Sequence, residues 1–248
     1  MNRAVDLAHL RSGERTALVA AIAAAGLVCF PTDTVYGIGG VVSPATGRAI
    51  ARAKGRRADR PLQVVYPTLE LLLAGVALSP AVADAARRLL PGPFTLVVPY
   101  PDGVTFPPFG LVAWPAADGA ADGAGGGPDD GGEGSPREGG PGGGAAPTVV
   151  RTLGVRVPAW PPAARALARL PFPLLASSAN PSGEHDPVGL SDVAPGVRAA
   201  CDLLLDAGPT SGVSSTVLDL SGLQAGRGFR VLRPGAVGSA EIAAILAS

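Results

Sequence analysis

The strongest constraint on the fold is a rhythm of short apolar runs, each closed by Pro, Gly or a polar loop, and separated by stretches with helical spacing. The runs are Leu27–Phe30, Gly37–Val42, Leu62–Tyr66, Phe94–Tyr100, Val149–Val157, Pro173–Ser177, Asp202–Asp206, Ser215–Leu220 and Gly228–Leu232. All are too short for buried helices and read as strands. Between them, Val5–Ala25 has helical spacing with Gly26 as its stop, and Ser43-Pro44 forms an N-cap and first turn for a helix to about Lys54. Ser79-Pro80 opens a helix ending at Pro91, and further helices are expected at Pro161–Leu170 and Ser239–Leu246. Such alternation predicts an α/β domain with helices covering both faces of one sheet.

One segment breaks the rhythm. From Ala116 to Pro147, thirteen residues are Gly and four are Pro, with six acids against Arg137 alone. Little there can be buried, so the reading is a disordered acidic loop inserted into a single domain spanning residues 1–248. Formal charge over the chain is zero, so an insertion of net −5 leaves a body of net +5. An anionic partner suits that body. No basic leader and no apolar run of membrane-spanning length is found, which predicts a soluble, cytoplasmic protein with no membrane partner. Cys29 and Cys201 match no metal-ligand spacing and read as buried free thiols.

Charge is concentrated at Arg48–Arg60, where six bases face Asp59 alone. Among them is Lys54, the one lysine in a chain with nineteen arginines. A lysine is a compact charge whose pKa can be tuned, whereas arginine is a permanent fork. Its presence beside Arg56, Arg57 and Arg60 points to phosphate handling; a solvated helix end reads equally well from these residues alone.

Four more polar loops adjoin strands: Pro31–Gly37, Arg151–Pro158, Ser177–Gly183, and Ser214–Thr216 paired with Val231–Gly235. The first reads by itself as a capped turn. In the second, Thr152 and Arg156 share a strand face, with Gly154 leaving room between them. Ligands gather at strand ends in open α/β sheets, and five such loops predict a ligand site.

These blocks resemble the YrdC family of threonylcarbamoyl-AMP synthases. The patterns P-T-D/E-T-V-Y-G, K-x-R, P-G-P-x-T-L, V-R-x-P, S-S-A-N-x-S-G, S-T-V and R-P-G occur in order at Pro31–Gly37, Lys54–Arg56, Pro91–Leu96, Val155–Pro158, Ser177–Gly183, Ser215–Val217 and Arg233–Gly235. The resemblance implies an open twisted mixed sheet with helices on its faces and a concave ligand site. It implies a nucleotidyltransferase that joins L-threonine, bicarbonate or CO2 and ATP into threonylcarbamoyl-adenylate and pyrophosphate. A partner transferase would then modify adenosine 37 of tRNA, with a weak tRNA contact as a further expectation.

By motif position, Lys54 and Arg56 would be catalytic. ATP would be held by Lys54, Arg56, Arg60, Thr152, Ser178, Asn180 and Arg233, and threonine by Thr34, Tyr66, Arg156 and Ser215. No carboxylate cluster marks a metal site, so Mg2+ would arrive with ATP; Asp33 reads either as a helper to that metal or as a turn cap.

The chain departs from the family at Arg60, where Lys or Asn is usual, and at Tyr66 and Trp160, where many relatives carry His. His9 is far from every motif, and His185 lies just beyond a matched block. Deprotonation of the threonine amine is therefore expected from bicarbonate, solvent or the ATP phosphates. Two rival readings are an RNA-binding module with a basic concave face and a carbamoyl-transfer domain. Scarce aromatics and the acidic insertion count against the first, and missing zinc-finger segments against the second.

Overall fold

A computed structural model describes residues 3–11, 13–57, 60–99, 111–112 (backbone only) and 152–247. The acidic stretch Ala116–Pro147 lies outside the described residues, as do Asp59 and Arg151.

Eleven strands form one mixed sheet in the order β1-β9-β2-β3-β8-β4-β7-β5-β10-β11, with β6 on β7. In chain order these are β1 (Arg3–Asp6), β2 (Val28–Phe30), β3 (Gly37–Val41), β4 (Gln63–Val65), β5 (Phe94–Pro99), β6 (Leu111–Val112), β7 (Thr152–Arg156), β8 (Leu174–Ser178), β9 (Leu203–Asp206), β10 (Thr216–Asp219) and β11 (Arg230–Arg233). The helices are α1 (Glu14–Ala24), α2 (Pro44–Ala53), α3 (Leu69–Gly75), α4 (Pro80–Leu89), α5 (Pro195–Ala199) and α6 (Ser239–Ala247). The α/β class and the open mixed sheet agree with the sequence reading.

Strand alternation divides the sheet into two chemically different faces. Leu153 and Val155 of β7, Leu96 and Val98 of β5, and Val64 of β4 point into the larger core. There they meet Ile50 of α2, Leu72 of α3, Val82 and Leu89 of α4, Val197 of α5 and Ile242 of α6. The second face is covered over only part of its width. Leu18 and Ile22 of α1, with Ala164 and Leu167, pack on Val28, Phe30, Leu174, Leu203 and Leu205. Over β4, β7, β5 and β10 that face carries the cavity described below. Helices thus lie over both faces, as the sequence predicts, with the cavity in the open part of the second.

Three local expectations are corrected. The first two residues of the stretch read as a helix, Val5 and Asp6, belong to β1, which pairs in parallel with β9 from Arg3↔Leu203 to Asp6↔Asp206. Helix starts only at Glu14, whose carboxylate accepts from Arg11 N (2.9 Å). Ala-rich composition is a weak prior that sheet pairing overrides. Pro162–Arg169 is a 3-10 helix, and its three-residue turn aligns Ala164, Leu167 and Leu170 as one buried row. Finally, α3 was not anticipated; its start is capped by the Thr68 side chain, which accepts from Leu71 N. By contrast α2 begins as the sequence indicates, with Ser43 accepting from Thr46 N and Pro44 in the first turn, and it delivers Lys54 as its C-cap.

Candidate active site

The open half of the second face holds a cavity of about 370 Å³. Its floor is polar because β4, β5 and β7 each place small or polar residues at the alternate positions: Gln63, Thr95, Gly154 and Arg156. Thr95 Oγ1 donates to Gln63 Oε1 (2.8 Å) and lies 2.9 Å from Ser215 Oγ. A hydroxyl has one proton, so Ser215 must donate to Thr95. Arg233 donates to Ser215 O (2.9 Å) and Oγ (3.2 Å), which completes a chain from Arg233 through Ser215 and Thr95 to Gln63. Gly235 makes this junction possible. A Cβ there would lie 2.4 Å from Ser214 O and 2.5 Å from Thr216 N, so the R-P-G and S-T-V blocks touch backbone to backbone.

Lys54 is 5% exposed. Its ammonium donates to Ser178 O (2.5 Å), Asn180 O (2.5 Å) and Asn180 Oδ1 (2.9 Å). All three protons are thus committed to the 177–183 loop. Burial, and behind it the Arg56 charge, draw the ammonium down from 10.5 to about 8, while Asp186 pulls the other way. Asn180 is equally committed: Oδ1 also accepts from Ser178 Oγ (2.6 Å), and Nδ2 donates to Glu184 O (2.5 Å).

Arg156 is 2% exposed and ion-paired with Asp33, while donating to Thr34 Oγ1 (2.7 Å). Asp33 also accepts from Ala159 N (3.0 Å), so it anchors the arginine to the strand's exit. Burial pulls the Arg156 guanidinium below its ordinary range, and Asp33 counters that pull. Burial, then Arg60, likewise depress Arg56. Nε of Arg56 and Nε of Arg156 are buried without a hydrogen-bond partner. Such donors cost stability unless a ligand meets them, and both arginines line the cavity.

Of the residues singled out from sequence, Lys54, Arg56, Arg156, Ser178, Asn180, Ser215 and Arg233 line the cavity together. Thr34 sits behind Arg156 and contacts it; Thr152 is buried at the start of β7; Arg60 is exposed beside Arg56. None of these three is a lining residue. Tyr66 is misplaced by the sequence reading. Alternation along β4 turns Gln63 and Val65 to the cavity and Val64 and Tyr66 to the opposite core, where Tyr66 is 3% exposed against α3. Trp160 donates to Pro67 O (2.9 Å) and packs in the smaller core, and His185 is exposed outside the cavity.

Sequence reasoning gave no role to several polar lining residues, among them Gln63, Thr95, Asp186 and Ser214. Thr95 lay inside a matched block without a role, and Gln63 is the lone polar residue of an apolar strand, a legible signal. Ser214 opens a loop picked out from sequence but had no role there, and Asp186, to whose Oδ2 its hydroxyl donates, carried no signal. Among the described residues, four cations and one carboxylate, Asp186, line the cavity. Among the described residues no group of three or more His, Cys, Asp or Glu could hold a metal, and no helix is long and apolar enough to cross a membrane.

Comparisons with known proteins follow this geometry. A Pyrococcus abyssi threonylcarbamoyl-AMP synthase is 31% identical over 198 residues, covering 79% of this chain and 47% of its own. A Bacillus subtilis protein of the same name is 29% identical over 229 residues, covering 89% of this chain and 53% of its own. The chain therefore spans about half the length of these two relatives. A Mycobacterium tuberculosis protein provisionally named for that activity is 32% identical, with 95% and 90% covered. Among solved structures, P. abyssi Sua5 complexed with L-threonine matches with a TM-score of 0.68 at 28% identity, over 99% of this chain and 60% of that one. Escherichia coli YciO shares the fold, with a TM-score of 0.67 at 18% identity, covering 98% and 99%. The Sua5/YciO/YrdC family model, described as telomere recombination, matches residues 20–108 and 146–235. Those two stretches contain every described residue of the cavity wall, and on that match the chain belongs to the Sua5/YciO/YrdC family.

Proposed function

We propose that the protein is a threonylcarbamoyl-AMP synthase acting in the cytoplasm. The observation that carries this reading is the convergence of Arg56, Arg156 and Arg233 on one cavity, two of them with an unmet buried donor. A substrate pair with one amino-acid carboxylate and one triphosphate suits that arrangement, since arginine forks grip both groups bidentately.

In this reading the neutral threonine amine bonds to the carbon of CO2 with loss of a proton, or to that of bicarbonate with loss of water. An oxygen of the new carbamate then attacks the α-phosphorus of ATP. The bond from that phosphorus to the bridging oxygen breaks, and pyrophosphate leaves with the electron pair. The protein contributes position and charge stabilisation. Arg156, held by Asp33, receives the threonine carboxylate, with Thr34 and Ser215 beside it. Arg56, Arg60, Thr152, Ser178, Asn180 and Arg233 form the nucleotide side. Lys54 acts there by holding Ser178 and Asn180 in place, since its protons already serve the loop. Among the described residues no cluster of His, Cys, Asp or Glu offers a resident metal its ligands. Mg2+ belongs with the triphosphate as part of the nucleotide substrate, where it offsets phosphate charge.

The product would pass to a separate transferase acting on tRNA. Incubation with labelled threonine, bicarbonate and MgATP tests the reading. Pyrophosphate release that requires all three supports it; salt-sensitive RNA binding without pyrophosphate release would favour an RNA-binding module instead.

A further inference from the structure

Among the described residues, Asp186 is the one carboxylate in a cavity wall that also carries Lys54, Arg56, Arg156 and Arg233. Surrounded by cations, it nevertheless forms no ion pair with any described residue. Three of those four cations have other acceptors in the fold. Lys54 spends its three protons on the 177–183 loop, and Arg156 is paired with Asp33. Arg233 reaches the Ser215 backbone and hydroxyl rather than Asp186. The only hydrogen bond Asp186 receives from described residues comes from Ser214 Oγ to Oδ2, so Oδ1 accepts none from them. A carboxylate in such a wall, oriented by a hydroxyl, near Lys54 but in no ion pair with a described residue, suits an incoming cation.

Its neighbours indicate which cation. Ser214 adjoins Ser215, and the same loop borders Thr34 through Gly212 N (2.8 Å) and Ser211 Oγ (3.2 Å), both donating to Thr34 O. Thr34 in turn contacts Arg156. One loop thus joins the carboxylate-binding arginine to the unpaired carboxylate, which is the polarity an amino-acid zwitterion requires. We propose that Asp186 Oδ1 accepts the ammonium of the amino-acid substrate and so makes the site select amino acids over simple hydroxy acids; this rests on the synthase reading above. Asp186 also offsets the repulsion that four cations exert on an incoming ammonium.

The test pairs a variant with a truncated ligand. Binding of L-threonine and of 3-hydroxybutanoate, the same molecule with hydrogen in place of the ammonium, is measured by calorimetry on wild type and Asp186→Asn. Wild type should bind threonine more tightly. Asp186→Asn should weaken threonine by about ten- to a hundredfold, the size of a hydrogen bond to a charged group, and leave 3-hydroxybutanoate and ATP unchanged. Ser214→Ala, which only disorients the carboxylate, should give a smaller loss confined to threonine, and it serves where Asp186→Asn fails to fold. Equal weakening of both acids would mean a structural role and would overturn the assignment. So would a shifted Mg2+ requirement for pyrophosphate release with threonine affinity intact, which marks a metal ligand. A wild-type chain that binds no threonine refutes the synthase reading itself; unaltered threonine affinity in Asp186→Asn refutes only this inference.

Discussion

Replacing Lys54 by Met keeps the length and apolar stem of the side chain and removes its charge and three donors. Ser178 O, Asn180 O and Asn180 Oδ1 then lose a buried ammonium. A hydrogen bond to a charged group contributes about 1.5–3 kcal/mol, so the gross loss is several kcal/mol. Against it, the cost of burying the ammonium is returned. A pKa drawn from 10.5 to about 8 corresponds to about 3 kcal/mol. The net destabilisation of Lys54→Met at pH 7 is therefore about 2–6 kcal/mol, measured by urea unfolding. The pH dependence has a definite sign. In the folded chain the lysine loses its proton near pH 8, while the unfolded chain keeps it to about 10.5. The unfolded state binds more protons between those values, so this group makes wild-type stability rise with pH across that window, and Lys54→Met lacks the rise. Pyrophosphate release should fall by about a hundredfold or more, because Ser178 and Asn180 are no longer held. Lys54→Arg should fail similarly, since a planar fork cannot serve three acceptors clustered around one nitrogen. A Lys54→Met protein as stable as wild type, with a flat difference from pH 8 to 10.5 but no turnover, would refute this account and make Lys54 a direct phosphate contact.

Gly235→Ala should lower activity sharply and stability by about 1–3 kcal/mol, read by turnover and urea unfolding, because its methyl would push Ser214–Thr216 out of place. Asp33→Asn should destabilise by about 3–5 kcal/mol, because it leaves a buried Arg156 charge uncompensated; steady-state kinetics should show a raised KM for threonine with KM for ATP unchanged. Tyr66→Phe should leave KM for threonine at its wild-type value, since the ring faces the core opposite the cavity; a raised KM would return Tyr66 to the site.

What the sequence determined by itself was whatever is decided within a few residues. Short apolar runs became strands because they are too short to do otherwise, and Ser43-Pro44 started α2 because a cap and a preset φ act locally. Seven motif blocks identified the loops that bear the site, because each carries its polar groups in one contiguous stretch. Long-range pairing decided the rest. Arg3–Asp6 is a strand only because β9 lies alongside, 200 residues away in register. Tyr66 points away from the ligand cavity because alternation along β4, set by pairing with β7 and β8, gave the open face to Gln63 and Val65. Lys54 was singled out by its rarity, but its partners, two carbonyls and an amide more than 120 residues away, depend on where β8 ends. Asp186 had no local signature at all. It stands in no ion pair with a described residue while Lys54 donates to the 177–183 loop and Arg156 pairs with Asp33, and charge balance in a cavity depends on the whole set of walls that close around it.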